Sequence, residues 1–330
     1  MLVPEDFVVT KFYQFAGGPR HNKYANTYQG SCPMCREGNS WLKKQRFYFI
    51  PEQNLVFCHN CGYAKKPIKW IAEITGCSIE EIIKEIGSEN NISEFVFSDE
   101  VNEKKESETL PKDCINLFDN NQIIYYKNNK IVNLALNYIK ERRLDVAINK
   151  PNSIFISLTD KIHKNRIVLP FYDENGDIIH YQTRMLLESD KYFKAKYISK
   201  IGSEKSIFNI DNIDSKFEYL FIFEGPIDSC FVKNGIAIGG IQENSYHLFT
   251  NKQKSQINNY PFHKKIWVLD SQIMDNASKN KTNKLLEMGE TVFIWPDNIG
   301  KICKDFNDIA ITAVSNEIPT DFIINNSIKG

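Results

Sequence analysis

Several features that mark other classes of protein are missing from this sequence. No apolar run approaches the length of a membrane-spanning helix, and the first ten residues include Glu5 and Asp6 rather than the basic and apolar start of a secretory signal. We therefore expect no membrane association and a place in the reducing cytoplasm, where eight cysteines are not expected to form a disulfide framework. The pattern G-x-x-x-x-G-K-[ST] is also absent, which argues against a P-loop motor in this sequence.

Net charge is missing as well, because 41 basic side chains balance 41 acidic ones. The two signs are nevertheless unevenly distributed. Residues 1–76 carry ten Lys and Arg against five Asp and Glu, whereas residues 77–112 carry four against ten. A basic segment followed by an acidic one is typical of a local nucleic-acid-binding surface, although each run is also compatible with an ordinary solvated face.

The pattern of apolar residues predicts a multidomain α+β protein with four segments. Residues 1–87 contain paired cysteines and end in an amphipathic helix, for which Ser78 and Glu81 form a capping-box pattern. The other predicted segments are a flexible acidic linker over residues 88–112, a basic mixed α/β lobe over residues 113–215, and a parallel α/β sheet over residues 216–330.

The last segment alternates short apolar strands with helices, which is the rhythm of a parallel sheet. Its predicted strands are Tyr219–Phe223, Ile236–Ile238, Ile266–Leu269 and Val292–Trp295. Strands of this kind place their carboxyl ends along one edge of the sheet, where ligands bind.

Two tight cysteine pairs give the first strong signal for a metal. Cys32 and Cys35 are separated by two residues, as are Cys58 and Cys61, and the segment between the pairs can fold as a hairpin. Four thiolates at this spacing complete the tetrahedral coordination that zinc prefers and leave no open position, which predicts one structural zinc ion per chain. His59 stands beside a ligand but is not needed as a fifth.

Aromatic and basic residues lie on the strands of this predicted zinc ribbon. They are Phe47, Tyr48, Phe49 and Phe57 together with Lys43, Lys44, Arg46, Lys65 and Lys66. The rings either stack on bases or form the small core of the ribbon itself, and the sequence leaves both interpretations open. The basic side chains are the better candidates for contacts with phosphates.

Carboxylates at strand ends give the second strong signal. Glu224 ends one predicted strand, Asp270 ends another, and Lys304-Asp305-Phe-Asn-Asp308 follows a third. A single such acid is explained as well by the capping of a helix. Several of them at one sheet edge cannot remain ionised together without cations, which predicts a site for Mg²⁺ or Mn²⁺.

These residues resemble the Toprim domain that primases, topoisomerases and some nucleases share. Glu224-Gly-Pro-Ile-Asp228-Ser matches its first motif, Asp270 matches the first acid of its D-x-D motif, and the segment from Lys304 to Asp308 matches its later acidic motif. The resemblance implies that Glu224, Asp270 and Asp305 are catalytic residues that hold Mg²⁺, with Asp308 as a further ligand. One departure is that Gln272 replaces the second acid of D-x-D, and Asp275 could supply the missing charge.

The segment before this domain resembles the corresponding part of bacterial-type primases. Arg166 precedes an apolar run, Pro170 and a glycine turn, and Gln182-Thr-Arg184 and Lys196-Tyr197-Ile198 continue the pattern. By resemblance, the groove that holds template and incoming nucleotide is lined by Arg166, Arg184, Lys196, Tyr197 and, with weaker support, Lys205. The order of segments resembles that of bacterial-type primases, and the length and the missing motor resemble the short primases of tailed bacteriophages.

The resemblance implies a nucleotidyltransferase that makes RNA primers on single-stranded DNA from ribonucleoside triphosphates and works with a separate replicative helicase. Two alternatives remain open at this point. A Toprim nuclease would use the same acids but would have little need for a zinc ribbon. A catalytically weakened relative that binds single strands and recruits helicase would explain Gln272.

Overall fold

The computed structural model of the protein describes residues 3–37, 40–89, 109–160, 162–187, 195–200, 203–240 and 248–330. These residues form helices and three five-stranded sheets, so the predicted mixed α+β class is confirmed. Most of the predicted acidic linker, residues 90–108, lies outside the described residues. None of the helices in the described ranges combines the length and the apolar character that crossing a bilayer requires.

The first sheet is antiparallel and carries the paired cysteines at its strand ends. Its strands follow one another in order and are β1 (Gly17–Asn22), β2 (Thr27–Ser31), β3 (Phe47–Ile50), β4 (Leu55–Cys58) and β5 (Ala64–Lys65). The helices of this part are α1 (Glu5–Phe15), α2 (Pro67–Thr75) and α3 (Ile79–Glu89). The predicted hairpin is confirmed as β3 and β4, whereas the pairing of β1 with β2 was not anticipated.

Aromatic side chains hold α1 and α2 against this sheet. The Phe12 and Phe47 rings stack at 5.3 Å, and Trp70 lies 5.6 Å from Phe47. The predicted capping box of α3 is confirmed, because the Ser78 backbone N–H donates to Glu81 and the Glu81 N–H donates to the Ser78 hydroxyl.

The second sheet is antiparallel and has the strand order β10-β9-β8-β7-β6. Its strands are β6 (Cys114–Asn116), β7 (Phe155–Ser157), β8 (Arg166–Tyr172), β9 (Ile178–Met185) and β10 (Tyr197–Ser199), and its helices are α4 (Asn120–Tyr125) and α5 (Lys130–Glu141). Asp119 and Asn129 cap the two helices by accepting hydrogen bonds from backbone N–H groups of their first turns.

The third sheet has the order β12-β11-β13-β14-β15. Its strands are β11 (Tyr219–Phe223), β12 (Gly235–Ala237), β13 (Lys264–Val268), β14 (Thr291–Phe293) and β15 (Ser327–Lys329). The accompanying helices are α6 (Pro226–Ser229), α7 (Asn251–Asn258), α8 (Asn276–Glu287), α9 (Asp297–Gly300), α10 (Phe306–Thr312) and α11 (Thr320–Asn325). The four predicted strands pair in parallel, but β15 adds an antiparallel edge that the sequence analysis missed.

The second and third sheets share one apolar core, which includes Phe171, Phe208, Phe221 and Phe293. A buried asparagine in the segment between α5 and β7 connects that segment to the third sheet. The Asn149 side-chain amide donates to the carbonyls of Ser229 at 3.0 Å and Gly235 at 2.7 Å, beside the start of β12. These bonds fix the middle of the chain against the sheet that ends in the acids.

We predict that Asn149→Ala lowers the free energy of unfolding by about 1–3 kcal/mol, because it leaves two buried carbonyls without this donor. Urea denaturation of the purified protein measures the change. Asn133→Ala is the matched control, since its side-chain amide also donates to a carbonyl but on the exposed surface. Equal effects of the two substitutions would contradict the assignment of Asn149 as a tie to the third sheet.

Candidate metal and nucleic-acid site

The four paired cysteines come together at the end of the first sheet. Their sulfur atoms all lie within 4.8 Å of one another, with Cys32 and Cys58 buried and Cys35 and Cys61 half-buried. Hydrogen bonds from the neighbouring thiols lower the pKa of Cys35, and the side-chain amide of Asn60 donates to its sulfur. A closed set of four sulfur ligands suits a structural zinc ion.

Three of the predicted acids line one cavity at the carboxyl edge of the third sheet. Glu224 follows β11 and Asp270 follows β13, and these strands pair in parallel with Phe223 opposite Val268. Asp305 reaches the same cavity as the N-cap of α10, where it accepts a hydrogen bond from the Asp308 backbone N–H. The cavity has a volume of about 470 Å³.

The acids in this cavity raise one another's pKa. Burial and the charges of Glu224 and Asp305 raise the pKa of Asp270 to about 6, and burial raises the pKa of Asp305. Such shifts are expected where partly buried carboxylates lie close to one another. Within the described residues, the cysteine quartet is the only group of three or more candidate ligands whose atoms all lie within 4.8 Å, so the acids are more widely spaced.

Asp228 lines the cavity too, although the sequence analysis named it only as part of the first Toprim motif and gave it no role in the site. Its carboxylate accepts a hydrogen bond from the Asn307 backbone N–H at 3.0 Å, and burial together with Asp305 and Asp270 raises its pKa well above the ordinary value. Its place within the Glu224-Gly-Pro-Ile-Asp228 motif was the available signal.

Asp308, predicted as a further Mg²⁺ ligand, is not among the side chains that line the cavity. It accepts a hydrogen bond from the Lys304 backbone N–H at 3.1 Å and lies 4.0 Å from Arg142. In this structure Asp308 stabilises the turn before α10, and its role as a further Mg²⁺ ligand stays a prediction.

Gln272 is fully engaged in structural hydrogen bonds. Its side-chain oxygen accepts from the Trp295 backbone N–H, and its nitrogen donates to the Phe293 carbonyl at 2.9 Å and the Thr282 hydroxyl at 3.1 Å. Asp275 caps α8 by accepting from the Ala277 N–H, yet it also lines the cavity. Gln272 therefore ties β14 to α8, and its oxygen takes part in this tie by accepting from the Trp295 N–H.

Cationic and aromatic side chains from the second sheet and from the segments on either side of β10 lie in the same cavity as the acids. Arg184, Lys196, Tyr197 and Lys205 all line the cavity. The Arg184 guanidinium lies between the rings of Tyr138 at 5.6 Å and Tyr197 at 5.0 Å, and it donates to the Tyr197 hydroxyl. Burial and the Arg46 charge lower the pKa of Lys205 to about 8, and its ammonium donates to the Gly239 carbonyl.

Arg166 is placed differently from the other predicted groove residues. Its side chain is fully buried and its guanidinium donates to the carbonyls of Ala195 at 2.7 Å and Lys196 at 3.1 Å and to the Thr183 hydroxyl. The expected direct contact with template or nucleotide is not compatible with this arrangement. Arg166 instead fixes the segment that carries Lys196 and Tyr197.

The cysteine-bearing sheet closes the cavity from the other side. Lys44, Arg46, His59 and Asn60 line it together with the acids. Burial lowers the pKa of His59 to about 3, with nearby His163 and Lys205 acting in the same direction, so His59 is neutral near pH 7. Its ring packs edge-on against Tyr48 and Phe57 at 5.1 and 4.7 Å.

A second cavity of about 840 Å³ continues from the first between β1–β3 and β10. The two cavities share Lys44, Arg46, His59 and Tyr197. The second is also lined by Arg20, His21, Lys23, Tyr24 and Tyr48, and no acid is among the described residues that line it. The question of the ribbon aromatics is thereby answered in part, since Phe47, Phe49 and Phe57 are core residues and Tyr48 faces this cavity.

The chain is similar to known DNA primases. No family model matches. The DNA primase of Enterobacteria phage T4 is 28% identical over 315 residues, which cover 91% of this chain and 86% of that protein. The DNA primase of Enterococcus faecalis is 22% identical over 81% of this chain but only 48% of its own length. The similarity to primases that the motifs predict is therefore confirmed.

Among solved structures, the zinc-binding and RNA polymerase domains of the Aquifex aeolicus primase match at 16% identity. That match covers 100% of this chain and 85% of the other, with a TM-score of 0.39. The E. coli primase catalytic core matches 62% of this chain at 14% identity with a TM-score of 0.42, covering 76% of that core.

We predict one zinc ion per purified chain, released when a thiol-reactive mercurial titrates the four thiolates. Elemental analysis gives the stoichiometry, and a colorimetric chelator measures the release. Cys61→Ala removes one ligand and is expected to lower zinc content and unfold the first sheet, whereas Cys77→Ala, at an exposed cysteine outside the quartet, leaves zinc content unchanged. Full zinc retention by Cys61→Ala would contradict the site.

Proposed function

We propose that this chain, which is similar to DNA primases over most of its length, is a DNA primase that synthesises short RNA primers on a single-stranded DNA template. The observation that carries the proposal is the cavity at the carboxyl edge of the third sheet. It is lined by the acids and by basic side chains that include Arg184 of the second sheet and Lys44 and Arg46 just before β3 of the cysteine-bearing sheet. Joining ribonucleotides needs this combination, because the acids hold cations and the bases hold phosphates.

The acids proposed as catalytic are Glu224, Asp270 and Asp305, in a sheet that we assign to the Toprim family. Their carboxylate oxygens suit Mg²⁺ or Mn²⁺, and Asp228 adds negative charge to the same cavity. A divalent cation bound there would neutralise charge on the triphosphate as its α-phosphate is attacked. The acids would hold the cation in position. The raised pKa of Asp270 shows that a positive charge beside it would favour its ionised form.

Arg184, Lys196 and Lys205 are proposed to bind the incoming ribonucleoside triphosphate. All three side chains line the acidic cavity, and the two rings beside Arg184 limit the directions in which its guanidinium points. Fixed cations of this kind lower the barrier by orienting the phosphates in advance. Tyr197 contributes by holding Arg184 in place.

The second cavity is proposed to carry the template strand. Its cationic side chains suit a phosphate backbone, and Tyr24 and Tyr48 offer faces on which bases can stack. Because it shares residues with the acidic cavity, a strand lying in it leads directly to the acids. Residues 1–87 would thus bind template, with residues 113–215 and 216–330 forming the two parts of the polymerase.

The primase resemblance also extends the proposal to a partner and a location. We propose that a separate replicative helicase supplies the unwound strand, as the similarity to short phage primases implies. The reaction would then take place in the cytoplasm of the host cell.

We predict that Glu224→Gln lowers primer synthesis by at least about a hundredfold, because the substitution removes a carboxylate at the cation site. The assay measures the incorporation of labelled ribonucleotides into RNA. It uses a library of single-stranded DNA templates that together contain every trinucleotide, and the matching helicase is supplied. The matched control is Glu218→Gln, an exposed glutamate before the opposite end of the same strand. Metal-dependent nicking of DNA without synthesis would instead favour a nuclease.

We also predict that divalent-cation affinity falls as pH drops below about 6. Asp270 has a pKa raised to about 6 in the metal-free protein, so below that pH a cation must displace a proton from it. The fall is expected to approach tenfold per pH unit for this one proton. Electron paramagnetic resonance of Mn²⁺ at pH 5, 6 and 7 measures it, and Asp270→Asn should bind less tightly and show a shallower dependence. Constant affinity from pH 7 to 5 would contradict the prediction.

A further inference from the structure

One lysine engages the proposed catalytic glutamate in a way that neither the motifs nor the primase resemblance anticipates. The ammonium group of Lys281 lies 2.8 Å from Oε1 and 2.8 Å from Oε2 of Glu224. Lys281 is on α8, which follows β13, and it reaches across to the residue that ends β11. The two residues are 57 positions apart in sequence, so the contact joins α8 to the end of β11.

The pair is largely withdrawn from water. The side chain of Lys281 is 20% exposed and that of Glu224 is 31% exposed, and both line the acidic cavity. An ammonium that contacts both carboxylate oxygens occupies the direction from which a cation would approach them. It also neutralises Glu224, whose charge otherwise acts on Asp270. A lysine in this position is therefore placed to oppose the binding of a second positive charge.

We propose that Lys281 competes with the divalent cation for Glu224 and so raises the cation concentration that the site requires. The inference depends on the proposed function, since it takes Glu224 as a cation ligand. In the cation-free protein Lys281 holds the carboxylate in the cavity. When a cation occupies the site, the ammonium gives up at least one carboxylate oxygen to it.

A purely structural role for the pair predicts the opposite effect on cation binding. If Lys281 only orients Glu224 for coordination, its removal lets the carboxylate move and weakens cation binding. If Lys281 competes, its removal deletes both an occupant and a like charge, so cation binding becomes tighter. The direction of the change in affinity therefore distinguishes the two roles.

The experiment measures Mn²⁺ affinity by electron paramagnetic resonance in the full chain without nucleotide. We expect Lys281→Met to bind Mn²⁺ about two- to fivefold more tightly than the wild type, which corresponds to the usual strength of a partly exposed ion pair. Lys281→Gln, a second neutral variant, should behave in the same way. The Mg²⁺ concentration that gives half-maximal primer synthesis should fall by a similar factor.

Two control variants define the signal. Lys279→Met removes an exposed lysine from the same helix and should leave Mn²⁺ affinity unchanged, which excludes a general effect of charge. Glu224→Gln identifies the Mn²⁺ that depends on this site. Thermal unfolding without metal establishes that each variant is folded.

Unchanged or weaker Mn²⁺ binding by both neutral variants overturns the proposal. The outcome is separate from that of the proposed function. If the wild type makes primers in a Glu224-dependent way but Lys281→Met does not bind Mn²⁺ more tightly, only the proposed competition by Lys281 is wrong. If Lys281→Met binds Mn²⁺ more tightly but the wild type makes no primers, the primase assignment is wrong and the proposed competition by Lys281 is supported.

Discussion

Repulsion among carboxylates at one sheet edge is the constraint on which the rest of this structure depends. Glu224, Asp228, Asp270 and Asp305 face one cavity because β11 and β13 run in parallel and α6 and α10 begin at the same edge. Water is partly excluded there, so the acids resist full ionisation and the pKa of Asp270 rises to about 6. Such a cluster is stable only if positive charge is brought close to it.

The neighbouring parts of the chain supply that positive charge. Contacts with backbone carbonyls and with aromatic rings hold the side chains that carry it in place. Arg166 is a cation that does not line the cavity, yet its bonds to the carbonyls of Ala195 and Lys196 fix the segment that carries Lys196 and leads into β10 at Tyr197. The Tyr138 and Tyr197 rings then hold Arg184 between them. Long basic side chains lose much conformational freedom when they are ordered, so a preformed support of this kind makes their positions reproducible.

Local patterns allowed much of this to be predicted from the sequence, and long-range contacts account for what was missed. Strand Tyr219–Phe223 and the capping box at Ser78 depend on residues a few positions apart, and both are found as predicted. The burial of Arg166 depends instead on carbonyls about thirty positions away, and the antiparallel strand Ser327–Lys329 depends on the exposed edge of β14. Neither contact leaves a periodic signal along the chain.

Gln272 shows how one departure from a motif changes the charge balance of the whole site. A carboxylate in its place could still accept the Trp295 N–H, but it could not donate to the Phe293 carbonyl, which would lose a partner. It would also add another negative charge beside Asp270, whose pKa is already raised. Where the motif has a carboxylate that can bind a metal, this chain has an amide that connects β14 to α8, the helix that carries Lys281. Gln272 carries no charge, but its hydrogen bond to Thr282 helps to fix the position of α8. It thereby helps to determine where the Lys281 ammonium meets Glu224.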